Sequence, residues 1–197
     1  YQYIEPVNGI PQGNYEPVTR LIAPTRTTLA AVMGKYHPSE KTLIDFEIGM
    51  SNNDQNLFST LDDQNNKGWA ANFNAKQRLL SKKVSIDAFA NAQFVHQNFK
   101  TIERLYTIEF DRDWSLDTQL GNQSLLTFGL NARLNDQSSF TYQIDKMEFS
   151  QSYHGLKNVF SGNYIKNHFS LTTNSSYLHA KSTAYATQFA RSNTKDI

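Results

Sequence analysis

Cysteine is absent from this 197-residue chain, which excludes a disulfide framework and a thiolate metal site. A surplus of either sign of charge is absent too. Lys and Arg number 19 against 18 Asp and Glu, a net charge of +1, so the basic stripe of a nucleic-acid binder is missing and no nucleic-acid partner is expected. No apolar run approaches the length of a transmembrane helix. No glycine-rich phosphate loop, HExxH or GxSxG occurs, and the histidines His37, His96, His154, His168 and His179 are scattered. No cofactor, metal or catalytic residue is therefore expected. The chain opens without an initiator Met, a charged n-region or an apolar h-region. Tyr1 and the closing SNTKDI read as cut points, so the expectation is an interior slice of a longer protein.

Proline is confined to the start. Pro6, Pro11, Pro17, Pro24 and Pro38 are the only five, so residues 1–25 read as an extended, turn-rich entry segment. From Thr42 onward nothing interrupts a strand. What is plentiful is aromatic residues, 13% of the chain, in a background rich in Asn, Gln, Ser and Thr with only 39% hydrophobic residues. Such a chain is polar for a large core, yet too aromatic and too regularly patterned for disorder.

That pattern has period two, the signature of a strand with unlike faces. In TLIDFEIGMS, Ile44, Phe46, Ile48 and Met50 oppose Asp45, Glu47, Gly49 and Ser51. In GWAANFNAKQRLL, Trp69, Ala71, Phe73 and Ala75 oppose Asn72, Asn74, Lys76 and Arg78. In VSIDAFANAQFVHQ, Ile86, Ala88, Ala90, Ala92 and Phe94 oppose Asp87, Asn91 and Gln93. LYTIEFDRDW sets Tyr106, Ile108, Phe110 and Trp114 against Glu109, Asp111 and Asp113, with Arg112 a blemish on its apolar side. SLLTFGLNARLN groups Leu126, Phe128, Leu130 and Ala132, leaving Arg133 on the other side. TTLAAVMGKY is a weaker first strand, NVFSGNYI and HFSLTTNSSYLHAK are later ones, and AYATQFAR opens another. FTYQIDKMEF changes phase at Asp145–Lys146, where a bulge is expected. Long connections are expected at 51–67 and 150–158, with tight turns near 81 and 166. Residues 26–197 thus read as one all-β, antiparallel up-and-down meander. Parity allows two registers for the hairpin around Ser81: a two-residue loop pairs Lys76 with Asp87, and a four-residue loop pairs Arg78 with Asp87.

Strands of this kind suit a soluble sandwich, apolar face inward, or an outer-membrane barrel, apolar face to lipid. The segments 69–80, 84–97 and 168–181 exceed the usual soluble strand of about 5–6 residues and reach the roughly 9–11 needed to cross a bilayer. The small residues on the apolar side also fit lipid contact. The expectation is part of a transmembrane β-barrel. Ile44, Phe46, Ile48, Trp69, Phe73, Ile86, Phe94, Ile108, Phe110, Phe128 and Leu130 would face lipid. Asp45, Glu47, Lys76, Arg78, Asp87, Glu109, Asp111, Asp113 and Arg133 would face the lumen.

Local features that could carry chemistry have simpler explanations. Paired carboxylates such as Asp45 with Glu47, or Glu109 with Asp111 and Asp113, could bind a cation, but in a lumen they would be paired charges. DDQNNKG at 62–68 resembles a calcium loop through Asp63, Asn65 and Gly68, but Lys67 and Asn74 occupy ligand positions, leaving a polar turn as the better reading. His154 or His179 with a nearby serine would be needed for a membrane hydrolase.

The stretches YEPVTRLIAPTRTTLAAVMGKYHPSEKTLIDFEIGMSNNDQNLFSTLDDQNNKG, FKTIERLYTIEFDRDW and GNQSLL resemble very large, poorly characterised surface proteins of Bacteroidetes bacteria. The resemblance implies a many-stranded barrel in the outer membrane of a Gram-negative cell envelope, reached through the periplasm, and brings no catalytic residues with it. The expected function is non-enzymatic, serving transport, secretion or envelope architecture, with outer-membrane lipid and other envelope proteins as neighbours. The alternative is a soluble or cell-surface β-sheet binding module of adhesin or carbohydrate-binding type.

Overall fold

Period-two alternation over most of the chain becomes a single antiparallel sheet of nine strands in sequence order. The computed structural model describes residues 3–13, 22–61, 63–116, 121–150 and 152–183, and the backbone of 186–196. The strands are β1 (Arg26–Ser39), β2 (Thr42–Asp54), β3 (Lys67–Ser81), β4 (Ser85–Val95), β5 (Gln123–Asn135), β6 (Ser138–Phe149), β7 (Tyr153–Lys166), β8 (Phe169–Ser182) and β9 (Ala186–Asp196). Each pairs with its sequence neighbours, which leaves β1 and β9 as the two edges of an open sheet. In the described part of the entry segment, Val7 and Ile10 form a bridge around the left-handed Asn8 and Gly9.

The connections are unequal. At one end of the strands the turns are 40–41, 82–84, 136–137 and 167–168; at the other they are 55–66, 96–122, 150–152 and 183–185. The connection at 150–152 is therefore tight, because β7 starts at Tyr153, earlier than its weak alternation indicated. The hairpin at Ser81 takes the register that pairs Arg78 with Asp87, with a bulge between Arg78 and Leu80 before Ser81 meets Ser85.

Register sorts the side chains into two faces. Rows running across the sheet, such as Ile48–Ala71–Phe94 and Ile44–Ala75–Ala90–Phe128–Ile144, define an apolar face. Nine of the expected lipid-facing residues lie on it: Ile44, Phe46, Ile48, Trp69, Phe73, Ile86, Phe94, Phe128 and Leu130. No second layer of described residues covers this face. Val32 is 68% exposed, Met50 66% and Phe128 61%, and Phe73, Trp69 and Leu130 are exposed as well.

Among the described residues only six hydrophobic side chains are buried: Ala71, Trp114, Met147, Tyr153, Leu178 and Ala180. All but Ala71 form one cluster, with Phe110, Leu116, Leu125 and Phe149 packed around it. That cluster lies on the opposite, polar face, where the described part of segment 96–122 folds back over the sheet. Three aromatic rings lie over directly opposed glycines, Phe46 over Gly34, Phe89 over Gly129 and Phe140 over Gly162, where an added Cβ would collide with the ring. Such pairs fill the gap a glycine leaves in a sheet and let it bend there.

Two further expectations are corrected. The segment 105–114 is not a strand but part of the long connection, with one helical turn, α1 (Phe110–Asp113). Glu109, Asp111 and Asp113 therefore do not form a ladder on a strand, and Ile108 and Phe110 are not on the apolar face. Ile108 is 79% exposed on the connection, and Phe110 turns toward the cluster. The alternation there was real, but α1 has no ladder partner, and aromatic packing on the sheet takes its place. The second correction concerns Asp145–Lys146. No bulge occurs: β6 pairs with β5 and β7 without a register shift at that point. The apolar residues change sides because Met147 and Phe149 face the folded-back segment, while Lys146 and Glu148 continue the opposite face.

Candidate functional site

The polar face is where the sequence concentrates hydrogen-bonding groups, and the register brings them together. On β2 and β3 the Asn74 amide donates to Asp45 Oδ1 at 3.0 Å. Asn91 on β4 donates to the side-chain oxygens of both Asn72 (2.7 Å) and Asn74 (2.6 Å). Toward the short turns, Asp87 takes Arg78 Nε at 2.8 Å and Lys76 Nζ at 3.5 Å. On β5 and β6, Asp145 accepts from Thr127 at 2.8 Å and from Gln143 at 3.0 Å, and Asn131 donates to Thr141 at 2.7 Å. Amides, hydroxyls and short ion pairs thus link neighbouring strands, and no described buried side-chain polar atom lacks a partner. Of the expected lumen residues, Asp45, Glu47, Lys76, Arg78, Asp87 and Arg133 all lie on this face. Glu109 instead pairs with Arg112 at 2.8 Å within the connection.

The described residues of segment 96–122 lie across this face and touch one strand after another. The amide of Lys100 donates to Ser51 Oγ on β2 at 2.9 Å. Next to it, the backbone at 98–99 presses onto Gly68 of β3, where any Cβ would collide with it, and the Phe99 ring sits against Gly49. Tyr106 donates its hydroxyl hydrogen to Gln93 of β4 at 2.8 Å and accepts from the Gln123 amide at the start of β5 at 2.7 Å. Burial pushes the phenol up to about 12, with a smaller lowering from the Gln123 hydrogen bond. The Tyr106 and Phe110 rings stack at 3.9 Å with an 8° interplanar angle, and Phe110 meets Trp114 at 6.5 Å. Trp114 is buried against β6, β7 and β8. Its carbonyl accepts the hydroxyl hydrogen of Tyr153, and Lys157 Nζ lies 4.2 Å from its ring centroid.

The groups on this face can donate and accept hydrogen bonds and pair with charges. The turn at 63–65 is closed by Asn66 donating to Asp63 Oδ1 at 2.8 Å, so the calcium-like motif satisfies its own carboxylate; Asp62 lies outside the described residues. No group of three His, Cys, Asp or Glu side chains among the described residues could hold a metal. His154 Nδ1 lies 3.3 Å from Glu148 Oε1 on the apolar face. In register, however, Glu148 stands between Ser124 and His154, so the carboxylate, not the imidazole, is beside the serine.

Sequence reasoning missed the amide ladder of Asn72, Asn74 and Asn91 as a cross-strand unit. It also missed Lys157 over Trp114, and the charged group Lys146, Glu148 and His154 on the apolar face. The one signal available for the last was the phase change at Asp145–Lys146. Comparison of the chain with protein families, with curated proteins and with solved structures finds no match.

Proposed function

We propose that this chain is a stretch of outer-membrane β-barrel wall, with its apolar face against acyl chains, its polar face toward the lumen, and segment 96–122 narrowing that lumen from the inside. The role is non-enzymatic, in transport, secretion or envelope architecture, and the resemblance to large Bacteroidetes surface proteins supports a Gram-negative outer membrane as the location. One observation carries the reading. Strands of 11–15 residues present a broad field of Phe, Ile, Leu and Trp side chains that nothing described covers, while the same strands satisfy their polar groups on the other side. A soluble sandwich buries such a field between two layers; a barrel wall leaves it to lipid. All four connections at one end are short and two of the four at the other, 55–66 and 96–122, are long, an inequality of the kind such walls use.

Fractionation of cells producing the full-length protein tests this. It should sediment with membranes, resist an alkaline carbonate wash, and enter solution only with detergent, in a form whose gel mobility shifts on boiling. Full-length protein that stays dispersed without detergent would overturn the reading.

A further inference from the structure

Most of the apolar face is uncharged, and its charges lie toward the strand ends: Arg26, Asp54 and Lys67 on β1–β3, Lys166 on β7, and the densest group on β6–β8. Beside the connections at 150–152 and 183–185, register aligns Glu148 (β6), His154 (β7) and Lys181 (β8) in one row, and Lys146, Leu156 and His179 in the next. Rows on one face are separated by about 6.6–6.8 Å and strands by about 4.7–4.9 Å, so the five polar groups occupy a patch one head group wide. Lys146 and His154 are each 54% exposed, and Glu148, at 35%, lies 2.9 Å from Lys146 Nζ and 3.3 Å from His154 Nδ1. His179 and Lys181 are exposed too. One carboxylate holds two cation-forming side chains in place, and the two lysines leave a positive surplus. Beside the patch, Trp69, Phe94 and Ser124 line a hollow of about 350 Å³ that reaches Glu148 and His154. Away from the connections, Ile144, Leu156, Phe128 and Leu130 continue the apolar field.

A charge facing lipid costs about 2–4 kcal/mol at mid-bilayer and about 0–1 near the interface. Resting on the proposed function, this sets the patch at head-group level. There, an anion with apolar chains attached meets both halves of the surface at once. We infer that the outward corner formed by Lys146, His154, His179 and Lys181 is a binding site for the phosphate head group of an anionic lipid, whose acyl chains lie along Ile144, Leu156 and Phe128. The lipid serves as a fixed ligand of the wall rather than as bulk solvent.

The test uses full-length protein reconstituted in nanodiscs of phosphatidylcholine doped with spin-labelled phosphatidic acid or spin-labelled phosphatidylcholine. The wild type should prefer phosphatidic acid. Each lysine changed to glutamine should lower that preference about fivefold, with K146Q/K181Q bringing it close to parity. K146R/K181R should retain the preference, and K82Q/K83Q, at the opposite end of the strands, should not change it. Loss of preference in K82Q/K83Q as well, or an unchanged K146Q/K181Q, would overturn the site. Displacement by inorganic phosphate alone would assign it to a free anion and overturn the lipid. Wild-type protein that will not enter the nanodisc refutes the membrane reading and the site with it, whereas protein that inserts but shows no preference refutes the site only.

Discussion

The strands β2–β5 and the far ends of β6–β8 follow opposite rules within one sheet. Along β2–β5, large apolar side chains point to the uncovered face, and amides and charges point to the face crossed by segment 96–122. At the connection end of β6–β8 the polarity inverts: Met147, Tyr153, Leu178 and Ala180 turn toward Trp114, while Lys146, Glu148, His154 and Lys181 turn outward. Apart from the register shifts after Arg78 and Arg133, alternation runs through both regions, and only its phase relative to polarity differs. The polarity of a sheet face is therefore set strand by strand by what lies over it. The only dry interior among the described residues is the one that segment 96–122 makes for itself.

Removing the cover breaks this comparison most severely. Trp114→Ala takes a buried ring out of the cluster and is expected to cost about 3–5 kcal/mol of the docking of segment 96–122. Limited proteolysis should then cut within 96–122 while β2–β5 keep their hydrogen-exchange protection. Cutting spread evenly over the sheet would show that the two regions do not differ in this way. Phe73→Arg probes the other region, at the middle of the uncovered face. Against lipid it should cost about 2–4 kcal/mol in reversible folding into vesicles; a loss of folding in water without lipid would place Phe73 in a core instead. Gly68→Ala attacks the contact between the two. Its Cβ meets the backbone at 98–99, and overpacking of this kind costs about 1–3 kcal/mol. Hydrogen exchange at Lys100, whose amide is held by Ser51, should rise before that of the strand amides.

The smallest effect is a dependence on pH. Tyr106 is buried as the neutral phenol and its folded pKa is raised to about 12. Its contribution is complete below the usual tyrosine value of about 10 and is lost as pH rises from there through 12. Proteolytic sensitivity of segment 96–122 should therefore increase over that alkaline window, and Tyr106→Phe should flatten the increase.

Strand existence, antiparallel order and the membership of each face were legible in the sequence, because alternation around Phe46, Phe73 and Phe128 needs only local spacing. The Ser81 hairpin could be narrowed to two registers by parity but not decided, since the bulge between Arg78 and Leu80 depends on the turn at 82–84. The stretch from Leu105 to Trp114 misled for a physical reason. Its aromatic spacing serves stacking of Tyr106 on Phe110 and burial of Trp114, and a period of two does not distinguish that from a ladder. The corner at Lys146 and His154 was hidden because inversion of polarity needs knowledge of the covering segment, which is remote in sequence from β7 and β8.

Contacts of segment 96–122 run from Ser51 on β2, by way of Gly68 and Gln93, to Leu178 on β8. Tight turns hold most neighbouring strands in register, but β2–β3 and β4–β5 are joined by long connections, and a slip of a single residue there exchanges the two faces of a strand. A crosspiece fastened at both extremes and at points between makes any such slip tear several fastenings together. It acts as a jig, locking the alignment of seven strands through one continuous stretch of chain.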